Sequence, residues 1–470
     1  MKKNFVLFAA LMLTAVFSTA EIAKAADVSI GGQIFTRYEI NEQSDFTDET
    51  DASDFIGQRT AVDVKANINE TTSAFIQLQS VRYWSTGAGI GGGPNDGSFQ
   101  VNDQDSSVGI HEAYFTLKNF ASLPIDAKIG RQEIILDGHR IFGDTLWTFG
   151  QQTHDAVRLT HSHGNTAINA GYISSSNDEL SSVATPTNQN DIESYFLHGN
   201  YKGVLGGNLS LVYNYQNDPC GNTSDANGSC SNVVLQNDVH TMGFRQAGQL
   251  FGIDYRGEYY YQWGQADSDG LDSQMGGNAG RGVAAGVGAD REAYMFGVRV
   301  GKKFNNVNMK PSLTFWYDYL SGTSDSDLDG ADPTYKSFNT VFDTGHKFYG
   351  LMDLYLGIGG GAAASGTNGL GLQDMAVKAK FSPMPGWTVK ADYHWLSTAE
   401  GVQGSSQAGL AGDGTQSSSL GNELDVTVVN KYNANTKIVL GFSNYQTTAT
   451  FRDLRGVVGD DANWAYLMFD

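Results

Sequence analysis

The chain has 470 residues, of which 40% are hydrophobic and 11% aromatic, with 57 Gly, 8 Pro and a formal net charge of −21. That length would suit about three ordinary soluble domains, yet no linker, composition break or long-period repeat divides it, so one large closed sheet is expected. Beyond the first residues no uninterrupted apolar stretch approaches the roughly 20 residues of a membrane-spanning helix, which excludes a helical membrane protein.

Lys2 and Lys3 precede an apolar run from Phe5 to Phe17 that is too short to span, and Ala23-Lys24-Ala25 places small residues where a signal peptidase reads them. Residues 1–25 are therefore expected to be a signal peptide, cleaved before Ala26, and residues 26–470 the folded protein. The first mature segment, 28–40, has a period of two. Val28, Ile30, Ile34, Tyr38 and Ile40 share one face, and Ser29, Gln33, Arg37 and Glu39 share the other. Such alternation suits a strand with lipid on one side and water on the other.

The same template predicts strands at 58–68, 73–84, 108–118, 125–135, 154–162, 166–173, 193–201, 208–216 and 239–246. At 251–263 it is clearest, because Phe251, Ile253, Tyr255, Tyr259, Tyr261 and Trp263 alternate with Asp254, Arg256, Glu258 and Gln262. Further strands follow at 292–302, 309–320, 372–382, 387–397, 423–432, 437–446 and 462–469. In 387–397 the rule turns Trp387, Val389, Tyr393 and Trp395 outward and Lys390, Asp392 and His394 inward. The last strand is aromatic from Trp464 to Phe469, as barrel termini are, although Asp470 follows. The segment 346–357 also alternates and would make the count odd, so it is assigned to the 321–371 loop, as a short strand above the membrane or a fold into the lumen.

Short turns such as 69–72, 202–207, 247–249, 303–307, 383–386 and 433–436 alternate with long stretches at 41–57, 85–107, 136–153, 174–192, 217–238, 264–291, 321–371, 398–422 and 447–461. The expectation is an all-β fold: a single antiparallel transmembrane barrel of about eighteen strands, with short periplasmic turns and long extracellular loops, in a bacterial outer membrane. The long stretches carry a net charge of roughly −25, so they account for the whole acidic excess.

The wall and lumen are then near neutral or slightly basic. The inward cations include Arg37, Arg59, Lys65, Arg158, Arg256, Arg299, Lys310, Lys378 and Lys390, set against Glu39, Asp63, Glu258, Asp318, Asp374, Asp392, Glu423 and Asp425. Either these charges pair across strands and merely satisfy the interior, or they line a hydrated passage that attracts anions. About eighteen strands leave a lumen too wide for side chains alone to fill, which favours an open or loop-plugged channel.

Asp325, Asp327 and Asp329 have the D-x-D-x-D-G spacing of a calcium loop, but Lys336 stands at the twelfth position, where a bidentate Glu would be needed. A loop calcium is thus set against a solvated acidic loop, and no other cofactor is expected. Cys220 and Cys230 lie close together in a polar stretch of an exported chain and are expected to form a disulfide. The nine His are scattered, and there is no G-x-S-x-G or H-E-x-x-H, so the chain is not read as an enzyme.

Specific strings then become informative. Ile129-Gly130-Arg131-Gln132-Glu133, continuing through Asp137, His139-Arg140, Phe142-Gly143 and Trp147 to His154-Asp155-Ala156-Val157-Arg158-Leu159, resembles the signature of the alginate export family of outer-membrane proteins. Phe338–Leu354, Gly421–Val426 and Trp464–Leu467 agree with it. The resemblance implies an eighteen-stranded monomeric barrel that passes an anionic polysaccharide through a basic constriction, a role it carries onto Arg131, Arg140 and Arg158. Strict alternation from Ile129 turns Arg131 toward lipid, and a bulge at Gly130 would return it to the lumen.

The expected partners are outer-membrane lipid and lipopolysaccharide, an anionic solute or polysaccharide, and a periplasmic protein that delivers cargo; no nucleic acid is expected. The expected function is a porin-like channel for passage or export of anionic solutes, with alginate-type export as the narrower version. The alternative is a sealed surface barrel presenting its loops for adhesion or partner binding.

Overall fold

The structure is a computed structural model and describes residues 27–42, 46, 52–84, 108–174, 193–218, 237–266, 288–328, 332–356, 367, 369–402, 417–455, 457–459 and 461–470. Eighteen strands make the barrel wall: β1 (Asp27–Asn41), β2 (Ser53–Asn67), β3 (Thr72–Tyr83), β4 (Gly109–Leu117), β5 (Asp126–Gln132), β6 (His154–His163), β7 (Thr166–Ser174), β8 (Glu193–Val204), β9 (Gly207–Asp218), β10 (Asn237–Leu250), β11 (Ile253–Ala266), β12 (Ala289–Lys303), β13 (Ser312–Leu320), β15 (Leu372–Phe381), β16 (Trp387–Ser397), β17 (Ser419–Lys431), β18 (Lys437–Thr447) and β19 (Asp461–Phe469). The two-residue β14 (Thr334–Tyr335) adds a short parallel pairing to β12.

Each wall strand pairs antiparallel with its neighbours, and β1 pairs with both β2 and β19, for example Tyr38 with Leu467, so the sheet closes. Closure leaves no edge, which is what allows strands to cross a bilayer with their backbone polar groups satisfied. Alternation then sorts the side chains. Ile30, Ile34, Leu197, Leu211, Met242, Val298, Val300 and Phe315 are exposed on the outer face, where lipid covers them. Tyr255 lies on that face and donates to the Leu205 carbonyl at 2.7 Å, while Arg256 points inward and pairs with Glu258 at 3.2 Å.

Strand ends differ from expectation where the backbone turns left-handed. Phe251, expected to begin a strand, instead forms the β10–β11 turn with Gly252, at φ 52° and 75°. Met309 and Lys310, at φ 63° and 44°, belong to the turn before β13, so Lys310 does not join the inward row.

The larger correction concerns the loops. The stretch 136–153, expected outside the cell, folds back into the lumen, and so does 337–356. Ile134, just before the first, and Leu136, Ile141 and Phe142 within it meet Phe338, Phe342, Phe348, Tyr349 and Tyr355 from the second. All are buried against wall residues such as Ile173, Phe196, Tyr260, Met295 and Tyr445. A large buried cluster of this protein therefore lies inside the barrel. Each fully buried Phe contributes on the order of 1.5–3 kcal/mol relative to exposure, which favours the inward position over a loop in water.

Segment 346–357 adds no wall strand, and its described part settles the alternative in favour of the lumen. A 3-10 turn at Gly345–Lys347 opens it, and left-handed Tyr349 (φ 52°) and Asp353 (φ 58°) interrupt the extended backbone. Residues 1–25 and the cysteine pair Cys220 and Cys230 lie outside the described residues.

Candidate functional site

The two inward segments are joined to each other before either touches the wall. Gly143 N donates to Phe342 O at 2.7 Å, Phe342 N to Ile141 O at 3.0 Å and Thr344 N to His139 O at 3.0 Å. Thr344 Oγ1 also accepts from the backbone N–H groups of Asp144 and Thr145. Backbone polar groups that would be orphaned in the lumen are thereby satisfied pairwise.

Wall residues then fix this unit on many sides. Arg59 donates to the carbonyls of Thr148 and Phe149, Arg37 to that of Trp147 at 2.8 Å, and Gln79 to that of Gly150. The Trp147 ring is sandwiched between the Arg37 guanidinium, 3.7 Å from its centroid, and the His346 ring, 4.0 Å away and nearly parallel. Asp137 accepts from Ser210 at 2.5 Å and meets His198 at 3.0 Å. Burial alone would raise the Asp137 carboxyl, but these bonds and the His198 charge hold it below the ordinary value. On the far side Glu423 accepts from Met352 N at 2.8 Å, and Gln262 exchanges two bonds with the Asn339 backbone.

The centre is ionic. Arg140, at the tip of the first inward segment, donates to Asp318 at 2.6 Å, to Glu258 at 3.3 Å and to the Tyr349 hydroxyl at 2.5 Å. Its guanidinium lies over Phe348. Arg299 also reaches Asp318, at 3.1 Å, and stacks on Trp316 at 3.4 Å. Arg256 and Arg245 approach Glu258 at 3.2 Å and 3.9 Å. They close around Gly138, where an added Cβ would lie 3.0 Å from Arg256 Nη1 and 3.2 Å from Arg245 Nε. Exposed Lys347 adds another cation beside this group. Lys378 extends it by pairing with Asp392 at 2.9 Å and lying 4.3 Å from the Trp316 ring. Cations outnumber the central pair of carboxylates, Glu258 and Asp318, on this side of the lumen, while Asp374, opposite Asp318 in register, and then Asp392 and Asp425 continue the inward face on β15 to β17.

The remaining expected residues divide clearly. Arg158 bonds Asn169 at 2.7 Å, and through it connects to His198 and Asp137. Lys65 and Lys390 are exposed and share the inward faces of Arg59 and Asp392, nearer the periplasmic end. Arg131 is a correction. β5 runs in register with β4 and β6 with no bulge, and Arg131 forms a two-bond pair with Asp155 at 2.9 and 2.7 Å. Its neighbour His154 packs on Phe342 inside the lumen, so the Arg131–Asp155 pair faces outward.

Arg245 and Lys347 escaped the sequence reading. Arg245 follows a stretch where inward Val239 and outward His240 invert the usual polarity, and only its register opposite Glu258 reveals it. Lys347 sits in the segment whose alternation suggested a strand.

In the acidic loop, Asp325–Leu328 forms a helical turn, and the Asp327 carboxylate accepts from Ser324 N and Oγ and pairs with Lys336. Asp329 lies outside the described residues, among which no group of three or more His, Cys, Asp or Glu is arranged to hold a metal. A cavity of about 380 Å³ opens beside the inward segments, lined by Glu39, Trp147, Asp353, Arg455 and Trp464 among others.

A family model described as alginate export matches residues 26–464. No curated protein matches. Among solved structures, OccAB1 of Acinetobacter baumannii is 13% identical over 96% of this chain and 99% of its own, with a TM-score of 0.54. OpdL of Pseudomonas aeruginosa is 10% identical over 94% and 98%, at 0.54. A BenF-like porin from Pseudomonas fluorescens Pf-5 is 11% identical over 94% and 97%, at 0.52. At these identities the likeness is one of fold.

Proposed function

The chain belongs to the alginate export family and is an outer-membrane channel, and from that premise we propose that it passes anionic solutes, with an anionic polysaccharide such as alginate as the narrower case. The observation that carries this reading is the cluster of Arg245, Arg256, Arg299 and Lys347 around the loop tip at Gly138 and Arg140, continued past Trp316 by Lys378. A low-dielectric wall focuses the field of such a cluster and raises the local concentration of anions. The acidic extracellular loops would then discourage re-entry of a polyanion that has left, which suits outward passage. The channel works as a monomer and requires no cofactor in this reading.

The test is conductance and selectivity of the purified protein in planar bilayers, with uronate oligomers added. Anion-selective current blocked by the oligomers supports dedicated export, and anion-selective current indifferent to them supports general anion passage. Cation-selective current would overturn both.

The apolar packing of the inward segments supports a second reading, in which the barrel is closed at rest and its outer loops bind a partner. Absence of current under any voltage, restored by trimming 133–153, would favour it.

A further inference from the structure

The periplasmic rim is divided into two unlike halves. From the β8–β9 turn to the β17–β18 turn, the tips present Leu205, Phe251, Phe304, Val307, Met384 and Tyr432, all exposed. Phe251 is fully exposed at 102%, and both it and Leu205 occupy left-handed turn positions at φ 52° and 47°. Those positions favour Gly, Asn or Asp, so an apolar side chain there is disfavoured by the backbone and also unburied by the fold. The turns are tied into one arc: Gln249 N donates to Gly206 O, Ser382 N to Met309 O, and Lys431 N to Gly386 O. On the other half the tips include Asn69-Glu70, Lys118-Asn119 and Gly164-Asn165, with Ile68 and Leu123 as the apolar exceptions.

Charge follows the same division. Residues 202–207, 247–254, 302–312, 382–387 and 431–437 contain six lysines and one aspartate, Asp254, which pairs with Lys303 at 2.9 Å. This is a cationic arc on a chain whose net charge is −21. Just above it, Tyr201, Tyr255 and Trp387 face outward, at the level where aromatic side chains meet lipid headgroups.

We propose that this half-rim is a lipid-docking surface, whose apolar tips enter, and whose lysines bind, the anionic phospholipid headgroup layer of the inner leaflet. Single apolar side chains on convex hairpin ends, spaced by two strands or about 10 Å, suit a fluid interface. A rigid protein partner would need a contiguous patch of about 800 Å². Lysines in three of the five turns supply the attraction to an anionic surface; Lys302 pairs in register with Ile253 next to the Phe251 turn and lies 5.6 Å from the Phe304 ring, joining the two elements directly.

The test uses the full chain carrying Cys220→Ser and Cys230→Ser, with Phe251→Cys labelled by an environment-sensitive fluorophore and Asn165→Cys as the opposite-arc reference. In vesicles of phosphatidylethanolamine and phosphatidylglycerol, position 251 is expected to be blue-shifted and quenched by headgroup-proximal spin-labelled lipid. Iodide should quench it about threefold less than position 165, and phosphatidylcholine or combined Lys302→Gln, Lys303→Gln and Lys310→Gln should narrow that gap. Leu205→Cys gives an independent reading of the same arc. Equal iodide access at 251 and 165, protection that appears only when a periplasmic protein is added, or protection indifferent to both lipid charge and the lysines would each overturn the proposal.

Discussion

The guanidinium of Arg140 donates to the carboxylate of Asp318 at 2.6 Å across 178 positions of sequence, and both side chains are buried. Their contact fastens the inward loop to the wall. Removing one partner of a buried ionic group typically costs about 3–5 kcal/mol, because the other charge is left uncompensated. Arg140→Met should therefore release 133–153 without unfolding the barrel. Faster proteolysis within that segment and a larger, noisier conductance are expected; an unchanged cleavage rate would show that the apolar packing alone holds it.

Selectivity should reside in the cations that reach the aqueous lumen. Each contributes on the order of 1 kcal/mol where water screens it, so Arg245→Gln, Arg256→Gln and Lys347→Gln together should lower the anion-to-cation permeability ratio at least ~5-fold. Reversal potentials in a salt gradient measure this directly.

Arg131 offers the converse. Its Asp155 partner and its outward face predict that Arg131→Gln leaves the reversal potential unchanged. A selectivity change as large as that of the triple variant would mean that β5 is shifted in register.

The inward loop also carries a group that titrates near neutrality. Burial pushes the Asp343 carboxyl from its ordinary 3.8 up to about 7, although Arg140 and Thr340 oppose the shift. The folded loop thus favours the neutral acid while the released loop does not. Its stability is fullest below the ordinary value, declines as pH rises from about 4 to about 7, and is level above. Open probability in single-channel records should be higher at pH 8 than at pH 5, and Asp343→Asn should remove the difference.

The junction of the two inward segments is tight enough to test with one methyl group. An added Cβ at Gly143 would lie 2.1 Å from Thr344 Oγ1 and 2.7 Å from Thr344 N. Overpacking of this kind costs about 1–3 kcal/mol, so Gly143→Ala should increase hydrogen exchange at Phe342 and Thr344 while leaving the strands protected.

The barrel was legible because a period of two is a local property. Tyr255 facing out and Arg256 facing in require only neighbouring residues, a bilayer and a wet lumen. The eighteen strands and the sidedness of their turns follow from the same repetition. Boundaries failed where a turn used unexpected residues, as at Phe251 and Lys310, since left-handed backbone is signalled by Gly or Asn far more than by Phe or Lys. Arg131 was legible too: plain alternation placed it outward, and the resemblance drew it into the lumen.

The wall is encoded locally, because each residue's side of the sheet depends on its immediate neighbours. The filling of the lumen is set at long range. Whether Arg37, Arg59 and Arg140 meet a passing anion or a folded loop depends on partners more than a hundred positions away for Arg37 and Arg140 and about ninety for Arg59. Contacts of that range are set by how the inward loops bury their apolar residues together, and no local repeat encodes that.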